Sequence, residues 1–242
     1  MSYIFREHIK QSLAVIAFLI ALTACTSESY DAGDGPNSYL TADLVLLHTS
    51  QDKSVRSALL DDGTTLQFSN PFAQDWLTRP DSVYRALLYY DKTVAASDAA
   101  ASNPTATSIV RARSVRPVSV LRPVEAEDME TLRTDPVGFE SLWMSKNKSY
   151  INLSLLLKSG KTEADDALHA LSIVSHGTTT DADRRRTLHL TLYHDQGGVP
   201  AYYTVQQYVS IPTQLLEEAD TVELTLNTYN GKKVMKVAVS NL

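Results

Sequence analysis

One short segment near the start of the chain has residue types and spacing that suit a specific reaction. Leu22, Thr23 and Ala24 precede Cys25, the only cysteine among 242 residues. A branched apolar residue and two small residues before a cysteine form a bacterial lipobox, whose small side chains fit the narrow pocket of the signal peptidase. The thiol is then acylated, and cleavage leaves the cysteine as the new N-terminus. We therefore predict that Cys25 is a lipidation site.

The residues before this segment are typical of a secretory signal. Arg6 and Lys10 make the start basic, and residues 13–22 form an apolar run. Such a run is too short to cross the ~30 Å hydrocarbon core of a membrane as a permanent helix. We predict a signal peptide over residues 1–24 and a flexible acidic tether over residues 25–39, which have too few apolar side chains to order themselves.

The residues after the cysteine bear on location. Thr26 is not an aspartate, the residue that signals inner-membrane retention in many Gram-negative bacteria, and this favours the outer membrane. Glu28, Asp31 and Asp34 resemble an acidic stretch that sends some lipoproteins to the cell surface, although a solvated linker is an alternative. We predict an outer-membrane lipoprotein that is periplasmic or surface-exposed and meets the membrane through its N-terminal lipid.

The overall charge argues against one class of partner. The chain has a net charge of −6, and removal of residues 1–24 takes away more basic than acidic side chains. Proteins that bind nucleic acid usually present a basic face. The most basic stretch holds Arg111, Arg113, Arg116 and Arg122, and arginines on an edge strand also discourage aggregation. We predict no nucleic-acid partner.

The sequence does not place candidate catalytic or metal-binding residues at the spacings that such sites need. His189 and His194 lie five positions apart on one predicted strand, so their side chains point to opposite faces. There is no Gly-x-Ser-x-Gly elbow, and the one thiol is assigned to the lipid. Acidic pairs such as Asp61-Asp62 fall in predicted turns. We predict no catalytic residue, no metal site and no cofactor.

Strand patterns dominate the rest of the chain. Short segments rich in leucine and β-branched residues recur along residues 40–123 and again along residues 124–242. An acidic stretch bounded by prolines, residues 123–136, separates the two groups. We therefore predict an all-β fold. Its first part is a small barrel or sandwich, and its second part is an antiparallel β-sandwich.

Two turns make the strand registers testable. Asp62-Gly63 predicts a two-residue type I′ hairpin loop, since both central residues of that turn need positive φ. Asn230-Gly231 predicts a second hairpin of the same kind. The predicted pairs include Leu59 with Leu66 across the first turn and Leu224 with Val237 across the second. Both registers place apolar side chains together on one face of the sheet.

Tyrosines indicate a candidate binding surface. Tyr202, Tyr203 and Tyr208 lie close together in one segment. Neighbouring residues of a strand point to opposite faces, so one tyrosine of an adjacent pair must lie outside the core or at an interface. Tyrosine offers rigid amphipathic contact area that suits protein or glycan partners. Cross-strand packing with the hydroxyl group in water is the alternative.

The chain resembles the NigD-like lipoprotein family in four segments that follow one another in order. They are LLDDGTTLQFSNP (59–71), SLWMSKNKSYINLSLLLKSG (141–160), LHLTLYHDQGGVPAYYTVQQYVSIPTQLL (188–216) and DTVELTLNTYNGKKVMKVAV (220–239). The resemblance implies an OB-like barrel at 40–123, followed by the β-sandwich at 124–242. It also implies an immunity-type role, through the association of the family with bacteriocin loci, and it brings no catalytic residue.

These observations favour a lipid-anchored envelope protein that binds a protein or glycan partner and is not an enzyme. An immunity-type protein is a more specific alternative, which rests on the family resemblance. A structural component of a surface fibre, or an adhesin, is a further alternative that two β domains and a lipid anchor permit.

Overall fold

The computed structural model describes residues 40–92, 108–161, 168–216 and 219–239. The lipobox, with Cys25, and the predicted tether lie outside these residues. The first five strands are Leu40–Thr49 (β1), Val55–Leu60 (β2), Thr65–Phe72 (β3), Val83–Lys92 (β4) and Ser108–Pro117 (β5). The next are Ser119–Val120 (β6), Pro123–Glu125 (β7), Gly138–Met144 (β8), Tyr150–Ser159 (β9), Ala170–Thr180 (β10), Arg186–Asp195 (β11), Tyr203–Pro212 (β12), Thr221–Thr228 (β13) and Gly231–Ala238 (β14). The prediction of an all-β chain is confirmed.

The first five strands close into an OB-like barrel. Their order is β1-β2-β3-β5-β4; β4 pairs with β1 to close the ring, and β3 runs parallel to β5. Alternation along β4 explains its place in this barrel. Ala86 and Leu88 point inward and are buried in the barrel core, so Arg85, Leu87 and Tyr89 point outward.

The remaining strands form two sheets packed as a sandwich. One sheet has the order β14-β13-β11-β10-β7 and the other has the order β6-β12-β9-β8. Leucines and isoleucines that alternate along β9 fill the space between the sheets together with those of β11 and β13. Within the residues that the structure describes, two short 3₁₀ helices, Ala126–Asp128 and Thr213–Leu215, lie between strands.

Strand β9 is buried on both of its faces. Leu153 and Leu155 face the sandwich core, whereas Asn152 and Ser154 are also buried although they face away from that core. A polar side chain on the outer face of a sheet normally meets water. On β9 the barrel packs against that outer face through Arg85, which donates a hydrogen bond to Asn152.

The chain passes from the barrel to the sandwich without a linker. The last barrel strand ends at Pro117, and the short strand β6 already pairs with β12 of the sandwich. Val118 between them donates its backbone N–H to the carbonyl oxygen of Arg85. The sequence pattern predicts the division after residue 123. The described residues from Leu40 onward belong to one compact unit.

The predicted register of the first hairpin is wrong by one residue. Leu66 pairs with Ala58, and Leu59 pairs with Thr65. The loop holds three residues, since the N–H of Leu60 donates to the carbonyl oxygen of Thr64 across it. A type I′ turn would need positive φ at two adjacent residues, but in this loop only Gly63 has it, with φ 89°.

The predicted register of the last hairpin is wrong by two residues. Leu224 pairs with Met235, and Thr228 pairs with Gly231. The only residue of this turn with positive φ is Gly231 (φ 102°), which begins β14 and does not lie inside the loop. A shift of two leaves every side chain on its predicted face, because the side-chain period of a strand is two. The pattern of apolar residues therefore could not distinguish the two registers.

Two adjacent glycines in the loop between β11 and β12 give a matched pair of variants. Gly197 and Gly198 both have positive φ, where a side chain costs about 1–2 kcal/mol. A Cβ atom at Gly197 would also lie 2.2 Å from the backbone oxygen of Leu168, whereas nothing lies within 4 Å of one at Gly198. We expect Gly197→Ala to lower the thermal midpoint of unfolding more than Gly198→Ala does. Equal losses would contradict this contact.

Candidate functional site

A buried arginine joins the barrel to the sandwich. Arg85 on β4 has 1% of its side chain exposed, and it binds Asp61 of the β2–β3 turn with both ends of its guanidinium group. The Nη1–Oδ1 distance is 2.6 Å and the Nη2–Oδ2 distance is 2.7 Å. Such two-pronged pairs are strong and fix the orientation of both side chains. The barrel therefore presents a rigid, neutralised pair to the sandwich.

The sandwich completes this network with three side chains. Arg85 donates from Nε to Ser210 Oγ at 3.1 Å and from Nη2 to Asn152 Oδ1 at 3.1 Å. Asn152 also accepts from the Ser210 hydroxyl and donates to Asp61 Oδ2. The guanidinium carbon lies 4.3 Å from the centre of the Tyr150 ring. A buried ion pair is tolerated when further hydrogen bonds satisfy its members, as these do.

A cleft of about 410 Å³ opens beside this network, between the barrel and the four-stranded sheet. Volumes of this size are typical of ligand-binding clefts, which often lie between domains. The side chains that line it come from β1, β2, β4 and the β2–β3 turn on one side and from β8, the β8–β9 turn, β9 and β12 on the other. The lining residues discussed below are Asp43, Leu44, Leu60, Asp62, Leu87, Tyr89, Glu140, Trp143, Lys146, Ser154, Gln206 and Tyr208.

The barrel wall of the cleft is apolar. Leu44, Leu60 and Leu87 line it, with Tyr89 beside them. Leu87 and Tyr89 are the outward residues of β4, which in an isolated barrel would face water. The sandwich covers only part of this outer face, and the remainder forms the wall.

The sandwich wall is aromatic and polar. Trp143 of β8 and Tyr208 of β12 meet edge to face, with ring centres 6.2 Å apart. Tyr208 pairs with Ser154 of β9 between them, and both rings are half-buried. Edge-to-face contact holds the rings in place while leaving ring surface accessible. The wall is therefore a fixed aromatic surface rather than a set of mobile side chains.

A β-bulge brings a carboxylate into the same wall. The register between β8 and β9 shifts between Phe139 and Ser141, so Glu140 is the extra residue. Its Oε2 accepts a hydrogen bond from the Ser154 hydroxyl at 2.6 Å and another from the Gln206 amide. Bulges often re-aim a side chain next to a functional site. Here the bulge holds an exposed glutamate at the cleft.

Further carboxylates lie at the rim of the cleft. Burial acts to raise the pKa of Asp62, but hydrogen bonds from Thr64 and the charge of Lys146 outweigh it, so this pKa lies below its usual value. Asp43 accepts a hydrogen bond from the buried hydroxyl group of Tyr90 at 2.8 Å. Burial and this contact raise the pKa of Tyr90 above 10, so its proton stays in place. With its lowered pKa, Asp62 stays ionised at neutral pH.

The three tyrosines predicted as one binding surface lie in two places. Tyr208 lines the cleft. Tyr202 and Tyr203 lie where β12 begins, outside the cleft lining, with 79% and 50% of their surface exposed. Tyr202 packs there against Gly160. The predicted lipidation residue Cys25 and its lipobox lie outside the described residues, so lipidation at Cys25 remains a prediction.

Sequence reasoning missed Arg85, Trp143 and Glu140. One signal was available, since β4 carries large side chains at its outward positions, which indicates that its outer face is covered. The bulge at Glu140 had no such signal. The partners of Arg85 were also out of reach, because Ser210 lies 125 positions further along the chain.

A second polar cluster joins two histidines. His194 is buried, and its Nδ1 lies 2.9 Å from the backbone oxygen of Asp135, so this nitrogen must carry a hydrogen. In the neutral ring Nε2 then accepts from His169 Nδ1, which lies 2.9 Å away. Burial, and next the neighbouring His194, lower the pKa of His169 below 6.5. His169 therefore favours its neutral form.

This pair predicts a loss of stability in mild acid. Since the pKa of His169 is lower in the folded chain, the unfolded chain takes up more protons as the pH falls through 6.5. The free energy of unfolding should fall from pH 7.5 to 5.5, and should fall less in His169→Gln. Carboxyl groups with lowered pKa, such as Glu223, titrate below this window. His176→Gln, at an exposed histidine bonded to Thr191, is the control. An unchanged pH slope in His169→Gln would contradict the assignment.

His189 lies apart from this pair, on the outer face of the five-stranded sheet. Its Nδ1 lies 3.1 Å from Glu223 Oε1, and Lys236 lies 3.3 Å from the other oxygen of that glutamate. Lys236, and next His189, hold the pKa of Glu223 below its usual value. Among the described residues, no three potential metal ligands form a group. In the same part of the chain, no helix is long and apolar enough to span a membrane.

Comparisons with solved structures identify chains of the same fold. A NigD-like immunity protein from Bacteroides caccae is 22% identical, with a TM-score of 0.58 over 81% of this chain and 91% of that one. A protein of unknown function from Bacteroides vulgatus is 16% identical, with a TM-score of 0.56 over 82% and 90%. A protein named as a candidate lipoprotein, from Bacteroides fragilis, is 14% identical, with a TM-score of 0.57 over 83% and 98%. These likenesses establish a shared fold.

The sequence itself matches a family model. Residues 120–239 match the NigD-like C-terminal beta sandwich domain, and this stretch contains every strand of the sandwich from β7 onward. No protein of curated function matches the sequence. The resemblance stated from the four sequence segments is thereby confirmed. The chain belongs to the NigD-like family, whose β-sandwich domain it carries at residues 120–239.

Proposed function

We propose that this protein is a lipid-anchored binding protein of the bacterial envelope, and that it holds a partner in the cleft between its barrel and its sandwich. The cleft carries this proposal. It combines a fixed aromatic wall, Trp143 and Tyr208, with the exposed carboxylate of Glu140. Rigid aromatic groups beside a few placed polar groups are typical of binding sites.

The contacts of Asp61 favour binding over acid–base chemistry at this site. Both of its oxygens accept hydrogen bonds from Arg85, and Oδ2 also accepts one from Asn152, so this carboxylate has a structural role in joining the barrel to the sandwich. The hydrogen bonds that join this pair to Asn152 and Ser210 of the sandwich hold the two walls of the cleft at a fixed separation. A preformed cleft binds with less loss of conformational entropy than one that must assemble around its ligand.

The lipobox supports the proposed location. Acylation of Cys25, followed by a polar tether, would station the barrel and sandwich beside the membrane. A similarly folded protein from Bacteroides fragilis is named as a candidate lipoprotein. We place the protein in the outer membrane, facing the periplasm or the cell surface. Cys25→Ser should move the protein from the detergent phase to the aqueous phase in phase separation, and retention in the detergent phase would contradict lipidation.

Site-specific crosslinking tests the binding role. A photoreactive phenylalanine analogue at Tyr208 should yield a discrete crosslinked product in envelopes of the native bacterium. The same analogue at Tyr202, which is exposed, directly precedes β12 and does not line the cleft, is the matched control. Products from the Tyr202 position alone would contradict a partner in the cleft.

An immunity-type role is a second candidate. The observation that favours it is the name of one protein of the same fold, the NigD-like immunity protein from Bacteroides caccae. In this case the partner in the cleft would be a toxin. Deletion of the gene should then make the native bacterium sensitive to a cognate toxin, and the Trp143→Ala variant should fail to restore resistance. Unchanged sensitivity across a panel of toxins would reject this role.

A further inference from the structure

We infer that the cleft receives a cationic head on an apolar stem, namely a lysine or arginine side chain of a polypeptide partner. This inference rests on the proposed function, because it names the chemistry of the ligand in the same cleft. Three independent features of the lining carry it: the charge balance, the aromatic wall and the leucine wall.

The charge balance of the lining is negative even after internal neutralisation. Arg85 neutralises Asp61 from behind the cleft. Of the described residues that line the cleft, only Lys146 is basic, and it acts on Asp62. Asp43 and Glu140 form no ion pair with a described residue; neutral donors satisfy them, such as Ser154 at Glu140. A cation entering the cleft therefore meets carboxylates that lack a counter-charge.

The aromatic wall suits the same cation. A lysine ammonium or an arginine guanidinium is attracted to the face of tryptophan and tyrosine rings within about 6 Å. Trp143 and Tyr208 stand on the same wall as Glu140, which can bond the cation directly. The fold already uses this chemistry elsewhere, for example where Arg85 lies over Tyr150 and Lys233 lies over Phe139, each at 4.3 Å.

The leucine wall selects the stem of the ligand. Leu44, Leu60 and Leu87 face the aromatic wall across the cleft and offer no hydrogen bond. Long basic side chains bury an aliphatic stem on apolar surface while the charged head stays with polar partners. A sugar ring would leave hydroxyl groups unpaired against the leucines. The lining therefore favours a basic side chain over a glycan.

Tryptophan fluorescence offers a direct test. The chain has two tryptophans, and Trp76 packs in the barrel against Tyr84, outside the cleft lining. The Trp76→Phe protein therefore leaves Trp143 as the only tryptophan reporter. The probe is a ten-residue peptide of alternating lysine and valine, and its control is the same peptide with every lysine acetylated. We expect the lysine peptide to change Trp143 emission, more weakly at high salt, and the acetylated peptide to have no effect.

A matched pair of variants locates the charge. Glu140→Gln in the Trp76→Phe background should lower the affinity for the lysine peptide about tenfold, the loss expected for one charge-assisted contact. Glu127→Gln removes the same charge at an exposed position outside the cleft lining and should change little. Both variants should keep the parent thermal midpoint. Equal binding by the acetylated peptide, or by Glu140→Gln, would overturn the cationic assignment.

Two further probes identify the source of the cation and distinguish a failure of this inference from a failure of the proposed function. Spermidine binding as tightly as the lysine peptide would overturn the assignment to a polypeptide side chain and would assign the cation to a polyamine. A response to maltoheptaose without a response to the lysine peptide would overturn this inference and leave the proposed function intact. If the lysine peptide leaves Trp143 unchanged while crosslinking at Tyr208 still succeeds, only the ligand class is wrong. If crosslinking fails as well, the proposed function falls with it.

Discussion

Arg85→Met is expected to lower the free energy of unfolding by about 3–5 kcal/mol, the cost of breaking a buried ion pair by removing one partner. The guanidinium group has 1% exposure, and Asp61 has 19%. Its loss would leave Asp61 charged without its counter-ion and would remove the donors that face Asn152 and Ser210. Chemical denaturation followed by circular dichroism measures the loss.

Two further variants separate the buried pair from charge effects in general. Arg113 binds Asp91 on the same barrel, but 44% of its side chain is exposed. Surface pairs contribute little, so Arg113→Met should change stability only slightly. Adding Asp61→Asn to Arg85→Met should recover part of the lost free energy of unfolding, because no uncompensated charge then remains where the barrel contacts the sandwich. A loss in Arg85→Met no larger than in Arg113→Met would contradict the role assigned to the network.

Leu155→Ala is expected to cost about 2–5 kcal/mol, the range for deleting a leucine side chain from a packed core. Leu155 is fully buried between the two sheets of the sandwich. Its strand, β9, also carries Asn152, which bonds Arg85 of the barrel. Strand β9 belongs both to the sandwich core and to the contact between barrel and sandwich. We therefore expect the barrel and the sandwich to unfold in one transition, at a lower denaturant concentration.

An exposed leucine provides the control for this variant. Leu168 has 73% of its surface exposed, so Leu168→Ala should have a small effect. The transition is followed by tryptophan fluorescence in two single-tryptophan backgrounds: Trp143→Phe leaves Trp76 to report on the barrel, and Trp76→Phe leaves Trp143 to report on the sandwich. Separate transitions of the two signals in Leu155→Ala would show that the contact between barrel and sandwich does not couple their unfolding.

Alternation of side chains made the strands predictable from the sequence. In β4 the inward residues Ala86 and Leu88 are apolar and buried, as a period of two requires. In β13 the same holds for Val222, Leu224 and Leu226. These patterns depend only on neighbours along the chain, so one sequence was enough to predict an all-β fold.

The registers of two hairpins were not predictable in the same way. Each turn contains a glycine after an aspartate or asparagine, and such a pair is compatible with more than one loop length. In both turns the structure gives positive φ to the glycine alone, Gly63 or Gly231. At the last turn the predicted and observed registers bury the same side chains, so the hydrophobic pattern contained no information to separate them.

The candidate site depends on contacts between residues far apart in the chain. Arg85 meets Asn152 and Ser210 only because the barrel packs on the outer face of β9. No local pattern specifies that packing. Tyr208 alone among the three predicted tyrosines reached the cleft. Its alternation with the core residue Val209 places it on the outer face. Local sequence patterns do not predict that the barrel packs beside this face and makes it a wall of the cleft.

The central claim is that a partner binds in the cleft, and fluorine NMR of the protein labelled with 5-fluorotryptophan tests it most directly. The two tryptophans give two resonances, one from Trp143 in the cleft and one from Trp76 in the barrel. On addition of a solubilised envelope extract of the native bacterium, we predict that the Trp143 resonance shifts or broadens while that of Trp76 stays unchanged. An extract that increases the sedimentation of the protein but leaves the Trp143 resonance unchanged would contradict the claim.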